Sequence, residues 1–244
     1  MLYKNPKKLV KKILNYFGWS LIKINRSLPN SYVYEKPNFK NVYRLLKCNG
    51  IIHWGAHRGK EAEVYSWFNK KVLWIEANPI IFEDLQNHIK FFYNQKAINT
   101  LLGDKNNKIV NFFISNKDAS CSSIFNLSKK VIEGKLWKKD NVKMISSIKL
   151  KMKTFDQIIK NKNIKIKGYD HWIIDLQGAE IHALKGSIKS LKYCNSLSVE
   201  ISKRDYYENG ATKWNDLRKF LVSKGFKLEV KPKGDHSEAL FVRK

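Results

Sequence analysis

The sequence predicts an α/β protein built on a mostly parallel β-sheet, and three observations carry that expectation. From about residue 41 onwards, apolar runs of strand length alternate with amphipathic helical segments, the pattern of a sheet covered by helices on both faces. Three of those runs finish in one carboxylate each, VLWIE at Glu76, HWIID at Asp175 and SLSVE at Glu200, and a fourth, IIHW, finishes in a glycine loop from Gly55 to Gly59. Third, with 21 Asp and Glu against 47 Lys and Arg, acids at matching strand ends read as the rim of a pocket and not as scattered surface charge. Ligands of open parallel sheets gather outside the carboxyl ends of the strands.

Taken in order, strands are expected near 50–54, 71–76, 95–101, 109–115, 146–150, 170–175, 195–201, 226–231 and 238–243. Helices are expected near 59–68, 79–91, 154–161, 179–191 and 212–224. The last two strands are separated only by the turn from Pro232 to Asp235. They should form a hairpin that places an antiparallel strand in the sheet. No internal repeat is present.

Residues 1–40 stand apart as a basic N-terminal extension and linker, with residues 41–244 as the α/β domain. Asn5-Pro6 suits a helix start and Gly18 a helix end. Between them Leu9, Val10, Ile13, Leu14 and Phe17 repeat at helical spacing, opposite Lys7, Lys8, Lys11 and Lys12. Such a helix suits the surface of an anionic membrane; equally, its stripe can pack on the protein's own core. Residues 27–40, with Pro29 and Pro37, read as the linker. No run approaches the ~20 apolar residues of a membrane span. Lys23 and Arg26 interrupt the stretch a secretory signal would need.

A chain of 244 residues with 43% hydrophobic content can bury a large core, which excludes wholesale disorder. Its three cysteines, Cys48, Cys121 and Cys194, are widely spaced and form no CxxC pair, as expected of reduced thiols in a cytoplasmic protein. The net charge of +26 suits a polyanionic partner. Lys, Asn and Ile are over-used throughout, however, so much of the excess is compositional.

The chemistry gathers around the strand ends. Gly55 and Gly59 follow a buried strand and precede a helix, where backbone can approach a ligand closely. The loop lacks the third glycine of the dinucleotide fingerprint, which argues against a dehydrogenase. Glu76 follows Gly55 by roughly 20 positions, at the tip of the next strand, the place of an acid that binds ribose hydroxyls. In the segment 169–180, YDHWIIDLQGAE, an apolar strand delivers Asp175 to the rim, Gly178 permits a tight turn and Glu180 starts a helix. With Gln177 between them, these acids can bind a polar ligand, orient a divalent metal or accept a proton. His53 and His57 flank a glycine turn, share no helix face and have no third ligand at metal spacing, so no metal ligand is assigned.

These residues resemble a known family. The block IIHWGAHRGKE at 51–61, VLWIEANP at 72–79 and YDHWIIDLQGAEIHALKG at 169–186 are similar to three signature blocks of FkbM-type S-adenosylmethionine-dependent methyltransferases. The resemblance continues through SVEI at 198–201 with Tyr206 and Tyr207, WNDLRKFLVSKGF at 214–226 and ALFV at 239–242, and covers residues 48–244. It implies a Rossmann-like class I methyltransferase fold with a seven-stranded sheet, and S-adenosyl-L-methionine as cofactor. It implies Gly55, Ala56 and Gly59 as the cradle of the donor's methionine part and Glu76 as its ribose acid; His57, Ala77 and Asn78 beside them are expected as further cofactor contacts. Asp118 and the stretch Cys121-Ser122-Ser123 resemble the family's serine-rich loop, which gives Ser122 and Ser123, with Gln177, as substrate contacts. Asp175, Glu180 and Glu200 match its acidic positions by the transferred methyl. The chain departs from many relatives in having histidine at 53 and 57 and cysteine at 121.

The function expected is therefore O-methylation, of a sugar hydroxyl in a glycan or glycolipid precursor, by a cytoplasmic protein that touches the inner membrane face if its N-terminal helix binds there. The rivals are an RNA methyltransferase and a non-catalytic module that docks on polyanions. No Asn/Asp-Pro-Pro-aromatic motif and no appended RNA-binding module is present, which argues against nucleic acid, and the intact acidic rim argues against a dead pocket. Residues 116–145 should decide acceptor specificity.

Overall fold

The computed structural model describes residues 39–138, 140–208 and 210–244. The expected basic helix and most of the linker lie outside the described residues. The ten strands are β1 (Gly50–Trp54), β2 (Lys71–Glu76), β3 (Gln95–Asn99), β4 (Leu101–Leu102), β5 (Ile109–Ser115), β6 (Met144–Lys153), β7 (His171–Ile174), β8 (Ser196–Ser202), β9 (Phe226–Val230) and β10 (His236–Arg243). The helices are α1 (Phe39–Lys47), α2 (Ala62–Trp67), α3 (Pro79–Ile89), α4 (Lys129–Ile132), α5 (Phe155–Asn161), α6 (Glu180–Lys185), α7 (Ile188–Leu191) and α8 (Trp214–Ser223). Helix α1 already begins at Phe39, within the stretch expected to be linker.

Seven strands form one sheet in the order β3-β2-β1-β7-β8-β10-β9. The first five pair in parallel, and β10 runs antiparallel to both β8 and β9. The expected C-terminal hairpin is thus present, inserted so that its second strand lies next to β8. This is an α/β Rossmann-like, mostly parallel seven-stranded sheet with an antiparallel C-terminal hairpin strand, as the resemblance implied.

Strand periodicity sorts the apolar residues into two cores. Ile52, Trp54, Leu73, Ile75, Trp172 and Ile174 point to one face and pack with Phe155 of α5, Leu184 of α6 and Leu217 of α8. Ile51, Val72 and Trp74 point to the other, against Ala62 and Tyr65 of α2 and Leu85 of α3. Because both faces are covered, these strands read as continuous apolar runs. At the amino ends of the strands, the Asp170 carboxylate accepts the Asn49 amide and side chain and ties the start of β1 to that of β7.

Three expectations need correction. The run expected as one strand over 95–101 divides at Thr100, and β4 leaves the main sheet to pair with β6. Strands β5 and β6 form an antiparallel ribbon outside the main sheet; mostly half-exposed on both faces, they lack the apolar continuity of β1 or β7. The helix expected over 179–191 is broken after Lys185. A Cβ at Gly186 would lie 2.0 Å from the Gly103 carbonyl oxygen, so only glycine allows this approach. The second piece, α7, starts anew with its Lys189 and Ser190 amides on Asp156. Among the described residues, no helix is long and apolar enough to cross a membrane.

Candidate active site

The carboxyl ends of β1, β2 and β7 meet around one cavity of about 230 Å³, and both Glu76 and Asp175 line it. Gly55 makes that convergence possible. Its φ is +75°, and a Cβ there would sit 1.7 Å from the Asp175 carbonyl oxygen. Residue 55 therefore has to be glycine for the β1 and β7 ends to touch. Asp175 in turn donates its amide to Trp54.

The turn's own amides are used internally. Gly55 and Ala56 both donate to the Ile75 carbonyl at 3.0 Å, Gly59 donates to Ala56, and His57 donates to the Glu76 carboxylate at 2.9 Å. The amides of the expected cradle, Gly55, Ala56 and Gly59, thus all have backbone partners in this structure, and Gly55, Ala56 and His57 line the cavity. Gly59 stands behind it, with Leu85 at 2.7 Å from a notional Cβ, and serves the packing of the loop on α3.

Glu76 is buried, with one oxygen accepting the His57 amide and the other the Asn78 amide at 2.8 Å. Burial raises its pKa, against those two backbone bonds. A carboxylate oxygen has more than one lone pair, so both can accept a further donor from the cavity. Beside Glu76, Leu101, Leu102, Phe112 and Ile124 make an apolar wall. Ala77 lines the same space, whereas Asn78 caps α3 by accepting the Ile80 amide.

Asp175 and Glu200 converge on one side chain. Gln177 Nε2 donates at 2.7 Å to Asp175 Oδ1 and at 2.7 Å to Glu200 Oε2. Its Oε1 accepts the Tyr207 hydroxyl at 2.7 Å, which fixes the orientation of the amide. Glu200 is not the last residue of its strand, as the apolar run suggested; β8 continues to Ser202, and Glu200 lies opposite Glu238 on β10. Its second oxygen is 3.0 Å from His236 Nε2.

Glu180 is placed differently from the role expected of it. It is 4% exposed, and one oxygen accepts the amides of Leu176 and Gly178. Burial raises its pKa against those bonds. This carboxyl holds the turn between β7 and α6 in shape. Ser123 likewise supports the site from behind, fully buried and donating to the Gln177 carbonyl at 2.7 Å, while Ser122 lines the cavity and accepts the Ser115 amide.

Gln177 also borders a second cavity of about 570 Å³, lined by Glu200, Tyr206, Tyr207, Lys203, Trp214 and His236 among others. The two cavities share Gln177. The segment between β5 and β6 closes over this junction: Trp137 stacks on Tyr206 at 4.4 Å, and Tyr207 reaches the Cys121 carbonyl at 3.0 Å. Strain concentrates here too. Apart from Asn and Asp, the non-glycine residues with left-handed φ among those described are His57, Ala119, Trp137 and Gln177, and three of the four line the first cavity. Such strain persists where the surroundings impose it, commonly at functional sites.

Residue pattern alone missed Tyr207 as the clamp on Gln177 and His236 as the partner of Glu200; only the β8–β10 register reveals the second. His53 stacks on Trp74 at 4.9 Å and is buried. His57 Nε2 lies 2.7 Å from the Asp118 carbonyl. Among the described residues, no group of three or more His, Cys, Asp or Glu side chains is placed to hold a metal ion.

Comparison with known proteins bears on this arrangement. Among solved structures the chain resembles a fibrillarin from Aeropyrum pernix crystallised with natively bound S-adenosyl-L-methionine, at 13% identity over 81% of this chain and 68% of that one, with a TM-score of 0.47. It also resembles a magnesium protoporphyrin IX methyltransferase from Synechocystis with the same molecule bound, at 12% identity over 100% of each chain and a TM-score of 0.48. No curated protein matches the sequence. The family model described as the methyltransferase FkbM domain matches residues 53–228, most of the chain, including the carboxyl ends of β1, β2, β7 and β8. The chain belongs to the FkbM methyltransferase family.

Proposed function

We propose that the protein is an S-adenosyl-L-methionine-dependent O-methyltransferase that methylates a sugar hydroxyl of a glycan or glycolipid precursor. One observation carries this reading: Glu76 and Asp175 line a single cavity, and Gln177 is shared between that cavity and a larger one. The first cavity fits the methyl donor. Its apolar wall of Leu101, Leu102, Phe112 and Ile124 suits a purine, and the two Glu76 oxygens suit the ribose hydroxyls. Asp175 and Gln177 lie at the end that faces the second cavity.

When bound, S-adenosyl-L-methionine supplies an electrophilic methyl group on a sulfonium. The chain's own task is to align an acceptor oxygen with that carbon, since near-attack geometry does most of the work in such a displacement. Gln177 and Tyr207 define the junction, and the carboxylates offset the repulsion between a cationic donor and a very basic protein. A hydroxyl must also lose its proton, and Asp175 and Glu200 are the bases within reach. The second cavity combines carboxylates with Tyr206 and Trp214, a lining that suits the polar edges and apolar faces of a sugar ring.

The test is incubation of the protein with donor labelled in the methyl group and separated glycolipid, polysaccharide and RNA fractions of a cell extract. Label recovered as a sugar methyl ether after hydrolysis supports the reading. Label confined to RNA overturns it.

A further inference from the structure

We propose that His236 is a positioning residue for the reaction proposed above: paired with Glu200, it keeps that carboxylate negatively charged to take the acceptor's proton, while the adjoining Asp175 carries a proton of its own. The idea rests on the methyltransferase reading, but its geometry stands in the protein alone.

Asp175 and Glu200 share the two N–H groups of one amide, that of Gln177. Tyr207 prevents that amide from turning over. Two half-buried carboxylates held by one amide resist double ionisation, because each charge disfavours the other. The surroundings decide which acid stays charged. Glu200 is in contact with the imidazole of His236, whose Nε2 lies 3.0 Å from its Oε1. The other ring nitrogen of His236 is 2.8 Å from the Ser202 hydroxyl, and the rings of Tyr206 and Trp137 stand T-shaped to the imidazole at 5.8 and 6.0 Å. Asp175 has Gln177 as its hydrogen-bond donor and the negative charge of Glu200 beside it.

The remaining groups around the pair do not reverse this assignment. Glu180, from α6, is committed to backbone amides. Glu238, opposite Glu200 on β10, accepts the Ser198 hydroxyl. Cys121, from the β5–β6 segment, is a thiol that burial pushes up to about 11, and the Tyr207 phenol is likewise held neutral, first by burial. Arg204 is paired with Asp235, the neighbour of His236. Burial and then the Glu200 charge push Asp175 well above the usual carboxylate range. Burial also acts on Glu200, but its bonds from His236, Asp175 and Gln177 outweigh it and leave it low. The same contact raises His236 in spite of its burial.

In the transfer, the acceptor oxygen forms its bond to the methyl carbon while the carbon–sulfur bond breaks with its electron pair left on sulfur. Glu200 takes the hydroxyl proton and becomes neutral. One positive charge is lost at sulfur and one negative charge at Glu200, so charge balances.

The experiment uses the full chain without ligand. Histidine ring NMR titration of the wild type should show one imidazole, identified by its loss in His236→Gln, titrating above the ordinary value. In Glu200→Gln that resonance should drop by about one pH unit or more. In wild-type protein labelled with 13C at aspartate carboxyls, the resonance lost in Asp175→Asn should keep its protonated shift at neutral pH. An ionised Asp175 at neutral pH, or a His236 titration untouched by Glu200→Gln, overturns the proposal. The carboxyl measurement stands even if the Glu200 variant does not fold. Donor binding, measured separately by calorimetry, tests the methyltransferase reading, so the two can fail independently.

Discussion

Glu76 and Glu180 are both buried acids that accept two backbone amides, yet only Glu76 lines the first cavity. Sequence pattern places both at the end of an apolar run or the start of a helix and cannot separate them. What separates them is the cavity each lines, the first for Glu76 and the second for Glu180. Asp175 adds a different case, an acid whose pKa burial and a neighbouring charge push well above the usual carboxylate range. Its folded pKa lies above the unfolded value of about 4, so its contribution to stability is fully present below pH 4 and is lost as pH rises towards the folded value. Asp175→Asn does not titrate and escapes that loss. The stability of the variant relative to wild type should therefore improve from pH 4 to pH 7, by up to about 1.4 kcal/mol per pH unit. Urea denaturation across that range checks it; a difference that does not change with pH contradicts it. Asp175, Glu76 and Glu200 were legible as a pocket rim because strand periodicity fixes which residues reach the sheet edge. His236 was not, because its pairing depends on a hairpin register that no local pattern encodes.

At the scale of elements, the turn after β1 acts by packing. Gly55 admits the Asp175 backbone, and Gly59 admits Leu85. Gly55→Ala would have to adopt a left-handed φ, which costs about 1–3 kcal/mol, and relieve a contact far inside van der Waals distance, which adds a similar amount. A loss on the order of 3 kcal/mol or more in unfolding free energy is expected, together with loss of donor binding; a variant as stable as wild type would show that the β1 and β7 ends are not in contact. Continuous apolar runs made β1, β2, β7 and β8 readable, since strands buried on both faces have that composition. The divided strand at Thr100 and the broken helix at Gly186 were hidden, because each depends on a tertiary contact of a single residue. The segment between β5 and β6 was recognised as variable, but its closure over the junction through Trp137 and Tyr207 required the structure.

For the whole molecule, the sheet gathers a few carboxylates at one edge of a protein carrying 26 more positive than negative formal charges. That placement reconciles an excess of lysine with a cationic ligand, because buried acids act over short distances where solvent screens little. The family and the mostly parallel sheet could be anticipated from ordered sequence blocks; the sharing of Gln177 by two cavities could not, since it arises from loops distant in sequence. The central claim is that Glu76 grips the adenosyl group in the first cavity. Calorimetric titration of S-adenosylhomocysteine into wild-type protein and Glu76→Ala, at a temperature where both are folded, tests it most directly. Loss of charge-assisted bonds of about 1.5–3 kcal/mol predicts a roughly 10- to 100-fold weaker Kd in the variant; equal affinity for the two proteins would contradict the account.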